Sequence, residues 1–377
     1  MDFNLTEDQQ ALSSLAEEIF AGQSTDERLK KLFQAGTEFD AELWGKVTDA
    51  GLVGAVIDEK HGGGDLGMVG LALVLEQQGR FTAQIPLLDT AVYGLLPLLR
   101  FGSDAQIEAE LPVLLDGSRI VAGALAEVGA GLPAVPKVTA RADGDGNAFR
   151  LDGEKRAVAW LTVANRILVT ASVDGALAVF TLDADAEGVA IEAAKTTAPW
   201  ASGNLTLTNA PATVLGGVEQ GAEIAAWIVD RARVALAAQQ IGVCERGLAR
   251  TVEYVNTREQ FGKPLSTKQG VMFRAADAYM DTEAIRVTTL EAAWRMDGGE
   301  AATEQALVAR WYASESGKRV VHACQHLHGG MGADIDHPIH RHFLWGRQID
   351  VTLGSGIQQL AALGKLLAHV PAQGGSR

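Results

Sequence analysis

The feature that most limits what this chain can become is a change of texture along it. Helical periodicity runs to about residue 121, gives way to turn-punctuated short apolar runs, and returns from about residue 218 onward. In the first stretch, Thr6 and Gln9 form a capping box ahead of Leu12, Leu15, Ile19 and Phe20 at helical spacing. Ser24 and Glu27 repeat the signal, Asp40 is placed to cap a helix over 43–49, and Ser103 with Gln106 marks a further start. Residues 61–65 read as a loop. Helices are expected over 69–79 and 87–100, the second kinked or shortened by Pro97.

Residues 122–217 carry turn signals at 143–147, Asp152-Gly153 and Asp174-Gly175, with alternating apolar runs between them. That pattern predicts a modest antiparallel β unit. Beyond it, apolar periodicity over 219–257 predicts one very long helix. A break at 261–264 precedes further helices over 267–296, 301–328 and 356–368, lengths that pack as a bundle. The expected protein is mainly α with a central β domain: helices over 1–121, a small β domain over 122–217, and a four-helix bundle over 218–377.

Composition narrows the partners. A net charge of −15 disfavours nucleic acid and anionic lipid. No apolar run is long enough to span a bilayer, and MDFNLTEDQQ has neither a basic region nor an apolar stretch, so neither a membrane segment nor a secretory signal is expected. Cys244 and Cys324 read as buried small hydrophobes rather than a disulfide. A cytoplasmic location fits these features.

One motif carries chemistry. Arg258, Phe261-Gly262 and Gln269 follow Tyr254 at the end of the longest helix. The spacing resembles R-x-x-F-G-x-x-x-x-x-x-Q of the acyl-CoA dehydrogenase family, where these residues reach the FAD of the neighbouring subunit. The roles the resemblance implies are chemically apt: a guanidinium can fork onto a pyrophosphate, an aromatic ring can pack on a cofactor, and an amide can bond its edge. Downstream, His326, Gly329, Gly330 and Gly332 resemble the family's Q-x-x-G-G-x-G turn, with His326 in place of the glutamine. Residues 336–341 resemble its Y-P-x-x-[RK] region, and Gly51-Leu52-Val53 with residues 61–64 resemble its N-terminal helices. The resemblance spans nearly the whole chain. It implies FAD as cofactor and α,β-dehydrogenation of an acyl-CoA thioester. It also implies an electron-transfer flavoprotein as acceptor, Ser355 among the cofactor contacts, and Arg233 near the thioester. Within the family, the chain is most similar to actinobacterial members acting on steroid side-chain thioesters, in particular to the subunit type that accompanies a catalytic partner.

The departures are specific. Removing the weakly acidic α-proton calls for a carboxylate base. The family places that glutamate at one of two positions, and here they hold Leu353 and Ala232. Asp230 and Asp350 are the nearby acids, two and three residues away. The flavin-wrapping T-E-P-G-A-G-S segment reads Ala126-Glu127-Val128-Gly129-Ala130-Gly131-Leu132, and the W-[IT]-[ST] wall reads Ala157-Val158-Ala159. Trp160, three residues out of register, is assigned to the core. By resemblance, the chain retains what a subunit lends to its neighbour and has lost what it would use itself. An α2β2 assembly with a homologous catalytic subunit is therefore expected. A self-sufficient dehydrogenase with a non-standard base and a non-enzymatic acyl-CoA-binding subunit are the alternatives. Six of the eight histidines lie between residues 322 and 342. They lack a Glu-x-x-His or Cys-x-x-Cys companion, so no metal site is expected.

Overall fold

The computed structural model describes residues 4–127, 135–144 and 146–368. The fold is helical at both ends with a sheet between, in the order expected. Helix α1 (Glu7–Gln23) opens on the Thr6–Gln9 capping box and buries Leu12, Ala16 and Phe20 along one stripe. Helix α2 (Asp26–Gln34) is capped by Thr25, not Ser24. Ser24 instead ends α1, so the cap falls to the next hydroxyl. Asp40 caps α3 (Ala41–Asp49) and Ser103 caps α7 (Asp104–Leu115). Helix α4 (Gly67–Arg80) is buried over nearly its whole length.

The segment over 87–101 is not one regular helix. It is α5 (Leu87–Asp89), a wide π turn (Thr90–Leu95) and α6 (Leu96–Phe101). Pro97 sits just past the π turn, where its missing N–H and its ring disfavour regular α pairing.

The middle unit comprises β1 (Val121–Ala124), β2 (Thr139–Ala142), β3 (Ala148–Ala159), β4 (Arg166–Val173), β5 (Ala176–Asp183), β6 (Val189–Ala193) and β7 (Ser202–Val214). Path β4–β2–β3–β7–β5 returns to β4, so the sheet closes on itself around Phe149, Leu151, Val169, Phe180 and Leu205. Most pairs are antiparallel, as the turn signals imply. β1 and β2 depart from that expectation: each runs parallel to β4, β1 because the chain enters from α7 rather than through a hairpin and β2 through the single pair Thr139–Ser172.

The tail contains α8 (Gly221–Thr257), α9 (Gln269–Asp297), α10 (Thr303–Leu327), α11 (Ile339–Val351) and α12 (Gly356–Ala368). Helix α11 is an addition to the four expected. Its histidines and arginines mask a buried face formed by Ile339, His342, Trp345 and Ile349. Head and tail helices share one hydrophobic core. Their closest approach is between α4 and α8. A Cβ on Gly242 would fall 1.8 Å from the Glu76 carbonyl, and one on Gly79 would fall 2.0 Å from that of Gln239. Only glycine permits that backbone contact.

Candidate active site

A cavity of about 390 Å³ opens where the sheet meets both helical segments. The sheet side supplies Leu125 and Ala126 after β1 and residues 156–160 of β3 and the turn beyond it. Helix α5 supplies Asp89, α8 supplies Leu236 and Gln239, and α11 with the loop after it supplies Trp345, Gln348, Ile349 and residues 351–354. Trp160 is buried as expected and also forms part of the wall, in a left-handed conformation at φ +59°. It stacks on Trp200 at 6.0 Å, and Trp200 meets Trp345 edge-on at 4.7 Å.

Leu353 lines this cavity at φ +56°. Its loop is tightly held. The buried Arg310 guanidinium, from α10, donates to the carbonyls of Thr352 at 2.6 Å and Asp350 at 3.2 Å, and the Gln359 amide donates to that of Leu353 at 2.9 Å. Burial lowers the Arg310 pKa to about 10, with Asp350 opposing, so it stays charged at neutral pH. Ala232 is fully buried in α8 and does not line the cavity.

The two neighbouring acids are committed elsewhere. Asp230 accepts from Arg233 at 2.6 Å and from the Thr303 hydroxyl at 2.6 Å. Asp350 is bound by Ser314 and by Arg347 at 2.7 Å. Neither faces the cavity. The acids that do are Asp89 and Glu127. Glu127 accepts from Lys155 at 2.9 Å and from the Lys137 amide at 2.9 Å. Burial works to raise the Glu127 pKa, but Lys155 and the amide outweigh it and hold it low. Burial lowers the pKa of Lys155 itself. Asp89 was not singled out from sequence. Its signal is an acid within the apolar run Ile85 to Tyr93. Burial pushes its pKa up to about 8, the Gly123 amide pulling the other way, so it is mainly protonated at neutral pH.

The other sequence-predicted residues lie apart from the cavity. Arg258 ends α8, exposed, with no side-chain hydrogen bond or ion pair among the described residues. Phe261 follows in a short hairpin, 94% exposed at φ +58°. Gln269 begins α9 and is exposed. His326, in the last turn of α10, is exposed, as are Gly329 and Gly330 after it. A Cβ on either glycine would meet nothing within 4 Å. Tyr254 stacks on His328 at 4.5 Å, which joins the hairpin end of α8 to the glycine turn. The structure thus brings these six residues to one end of the bundle. Ser355 is half-buried beside the cavity loop, its N–H donating to Gln358. Arg233 is held by Asp230 and by Gln359 at 3.1 Å. The substituted flavin-wrapping positions from Val128 to Leu132 lie outside the described residues.

No group of three or more potential metal-ligating side chains clusters among the described residues. No helix among them is long and apolar enough to cross a membrane. The exposed end carries groups that can hold a dinucleotide: a guanidinium unpaired among the described residues, an amide, an open glycine turn and an exposed aromatic ring with the Lys268 ammonium 5.8 Å from its centroid.

This chain belongs to the acyl-CoA dehydrogenase family. Residues 6–118 match the family's N-terminal domain and residues 219–365 its C-terminal domain. It is 36% identical to acyl-CoA dehydrogenase FadE27 of Mycobacterium tuberculosis, over 99% of this chain and 100% of that one. Among solved structures it is similar to the Tcur3481–Tcur3483 steroid ACAD, with a TM-score of 0.90 and 42% identity covering 96% and 98% of the two chains. The ChsE4–ChsE5 complex of Mycobacterium tuberculosis gives a TM-score of 0.91 and 36% identity, covering 99% and 100%. Butyryl-CoA dehydrogenase of Megasphaera elsdenii gives 0.90 and 28%, covering 98% and 100%. The family's chemistry is FAD-dependent oxidation of a CH–CH bond, and FAD is the cofactor these relatives indicate.

Proposed function

We propose that this chain is one subunit of a heteromeric acyl-CoA dehydrogenase. In this reading it lends Arg258, Phe261, Gln269 and the His326–Gly330 turn to a flavin site completed by a homologous partner. The partner also supplies the base. The observation that carries the reading is the division of labour within the chain. The residues suited to a dinucleotide are exposed and unsatisfied, whereas the cavity holds no ionised carboxylate free to act. Glu127 is paired, Asp89 is mostly protonated, and Asp230 and Asp350 are bonded elsewhere. An exposed, unpaired Arg and a 94% exposed Phe are also the signature of a surface awaiting a partner.

Bound FAD would supply the hydride acceptor for the oxidation. This chain's own part is to bind and orient. Arg258 would neutralise the pyrophosphate, Gln269 and His326 would fix its edges, and the glycine turn would let backbone amides approach. Arg233, tied to Asp230 and Gln359, would stiffen α8 against the loop that carries Leu353 rather than touch a thioester. The substrate class is an acyl-CoA thioester. The steroid relatives favour a bulky one, and an electron-transfer flavoprotein would be the acceptor by family. Expression of the chain alone and together with a homologous acyl-CoA dehydrogenase tests the proposal. Flavin and CoA-ester oxidation should appear only in the mixture. Activity of the lone chain would reject it in favour of a self-sufficient enzyme, and absence of flavin from both would favour a non-enzymatic subunit.

A further inference from the structure

Asp89 is the one acid of the cavity without a side-chain partner among the described residues. It closes α5 where the helix widens into the π turn, and its carboxyl lies beside the Gly123 amide. The same cavity is lined by Leu125, Leu236, Trp160 and Trp345, with Gln348 and Gln358 among its polar side chains. The charged groups around it do not neutralise it. Tyr93 lies one turn along the same segment, and burial pushes its hydroxyl pKa up. Arg310, from α10, is bound to the carbonyls of the 349–354 loop. Glu127 and Lys155, from the sheet side, are bound to each other, and Arg156, which also lines the cavity, pairs with Glu154. Helix α8 contributes only Leu236 and Gln239. A buried carboxyl with no cation opposite is most stable as the neutral acid, which is a strong hydrogen-bond donor. Such a donor, set in a lining that mixes apolar and aromatic walls with the Gln348 and Gln358 amides, can orient a small molecule in the cavity.

We propose that this cavity binds a largely apolar molecule whose carbonyl or hydroxyl oxygen accepts a hydrogen bond from the Asp89 carboxyl. Asp89 is then a specificity-determining residue of this chain's own cavity, whichever subunit holds the flavin and the base. The occupant is distinguished from a plain hydrocarbon chain by one oxygen placed away from its most apolar end. Because the site needs the neutral acid, binding should hold through neutral pH and weaken as Asp89 ionises, above about 8.

Equilibrium dialysis of the full chain against 2-acetylnaphthalene and 2-ethylnaphthalene, of equal size, tests this. At pH 6.5 the ketone should bind about tenfold more tightly than the hydrocarbon, and at pH 9.5 most of that advantage should be gone. The hydrocarbon should bind alike at both. Asp89→Asn retains a donor that does not titrate, so it should keep the preference at both pH values; Asp89→Leu should abolish it at both. Equal binding of the two probes at pH 6.5, binding of neither, or an unchanged pH dependence in Asp89→Asn would overturn the proposal. The wild-type comparison needs no variant to fold. Flavin content, read from the same samples by absorbance, reports separately on the heteromeric reading.

Discussion

Arg233 and Asp230 lie one turn apart on α8 and close on each other at 2.6 Å. This pair removes the acid nearest Ala232 from any catalytic duty. Its second oxygen is occupied by Thr303, and the guanidinium reaches on to Gln359, which in turn holds the Leu353 carbonyl. Both positions where the family resemblance places a glutamate are thus joined through one polar network that contains no available base. On the heteromeric reading proposed above, the network positions α8 against the Leu353 loop.

Arg258→Ala should leave folding intact, because the side chain has no partner among the described residues of its own chain. Flavin retention in the assembled protein should fall, since one charge-assisted contact of about 1.5–3 kcal/mol would be lost. The thermal midpoint of the lone chain checks the first effect, and the ratio of flavin to protein absorbance in the assembly measures the second.

Leu353→Glu should not produce a dehydrogenase in the lone chain. The new carboxyl would enter a wall of Val158, Trp160 and Trp345, and the flavin-facing segment would still read Ala157-Val158-Ala159. Turnover of a CoA thioester by this single variant, followed with an artificial electron acceptor, would show that the missing acid was the only deficit.

Gly242→Ala should destabilise the fold by more than its helix propensity would suggest. A methyl 1.8 Å from the Glu76 carbonyl forces α4 and α8 apart, and overpacking of that kind costs about 1–3 kcal/mol or more. Urea unfolding midpoints compare it with Gly364→Ala, where a Cβ meets nothing within 4 Å and the substitution should be neutral or slightly favourable.

The stability of the chain should fall on mild acidification. His342 is buried, and that burial, with Arg250, Arg341 and Arg246 adding to it, lowers its pKa well below the usual 6.5. The folded state holds it neutral while the unfolded state takes up a proton. Its contribution is therefore complete above about pH 6.5 and is lost progressively below that. Between pH 7.5 and 5.5, denaturation midpoints should drop more for the native chain than for His342→Leu.

Much of the architecture could be read from local chemistry. Capping hydroxyls at Thr6 and Ser103, the turn pairs of the middle unit and the long periodic stretch ending near Thr257 each act within a few residues. What escaped was set by contacts distant in the chain. Helix α11 hides its buried face among His342 and Arg341, whose burial depends on Asp26, Arg250 and the α10 surface. The parallel pairing of β1 with β4 follows from where α7 delivers the chain. In the candidate site, Arg258 to Gln269 and His326 to Gly330 could be singled out because each motif lies within a short run of sequence, whereas their meeting at one end of the bundle depends on the packing of α8 against α10. Asp89, Trp200 and Trp345 could not be singled out, since three separate segments bring them to one cavity.

The number of flavins the assembly holds, and where they sit, separates a heteromeric enzyme from a self-sufficient one. Counting released FAD against total chains, after co-purification with a homologous catalytic subunit, measures this directly. One FAD per pair of unlike chains, depleted by Arg258→Ala in this chain and absent from this chain purified alone, is the predicted result. A lone preparation that carries its own FAD and oxidises an acyl-CoA thioester would contradict it.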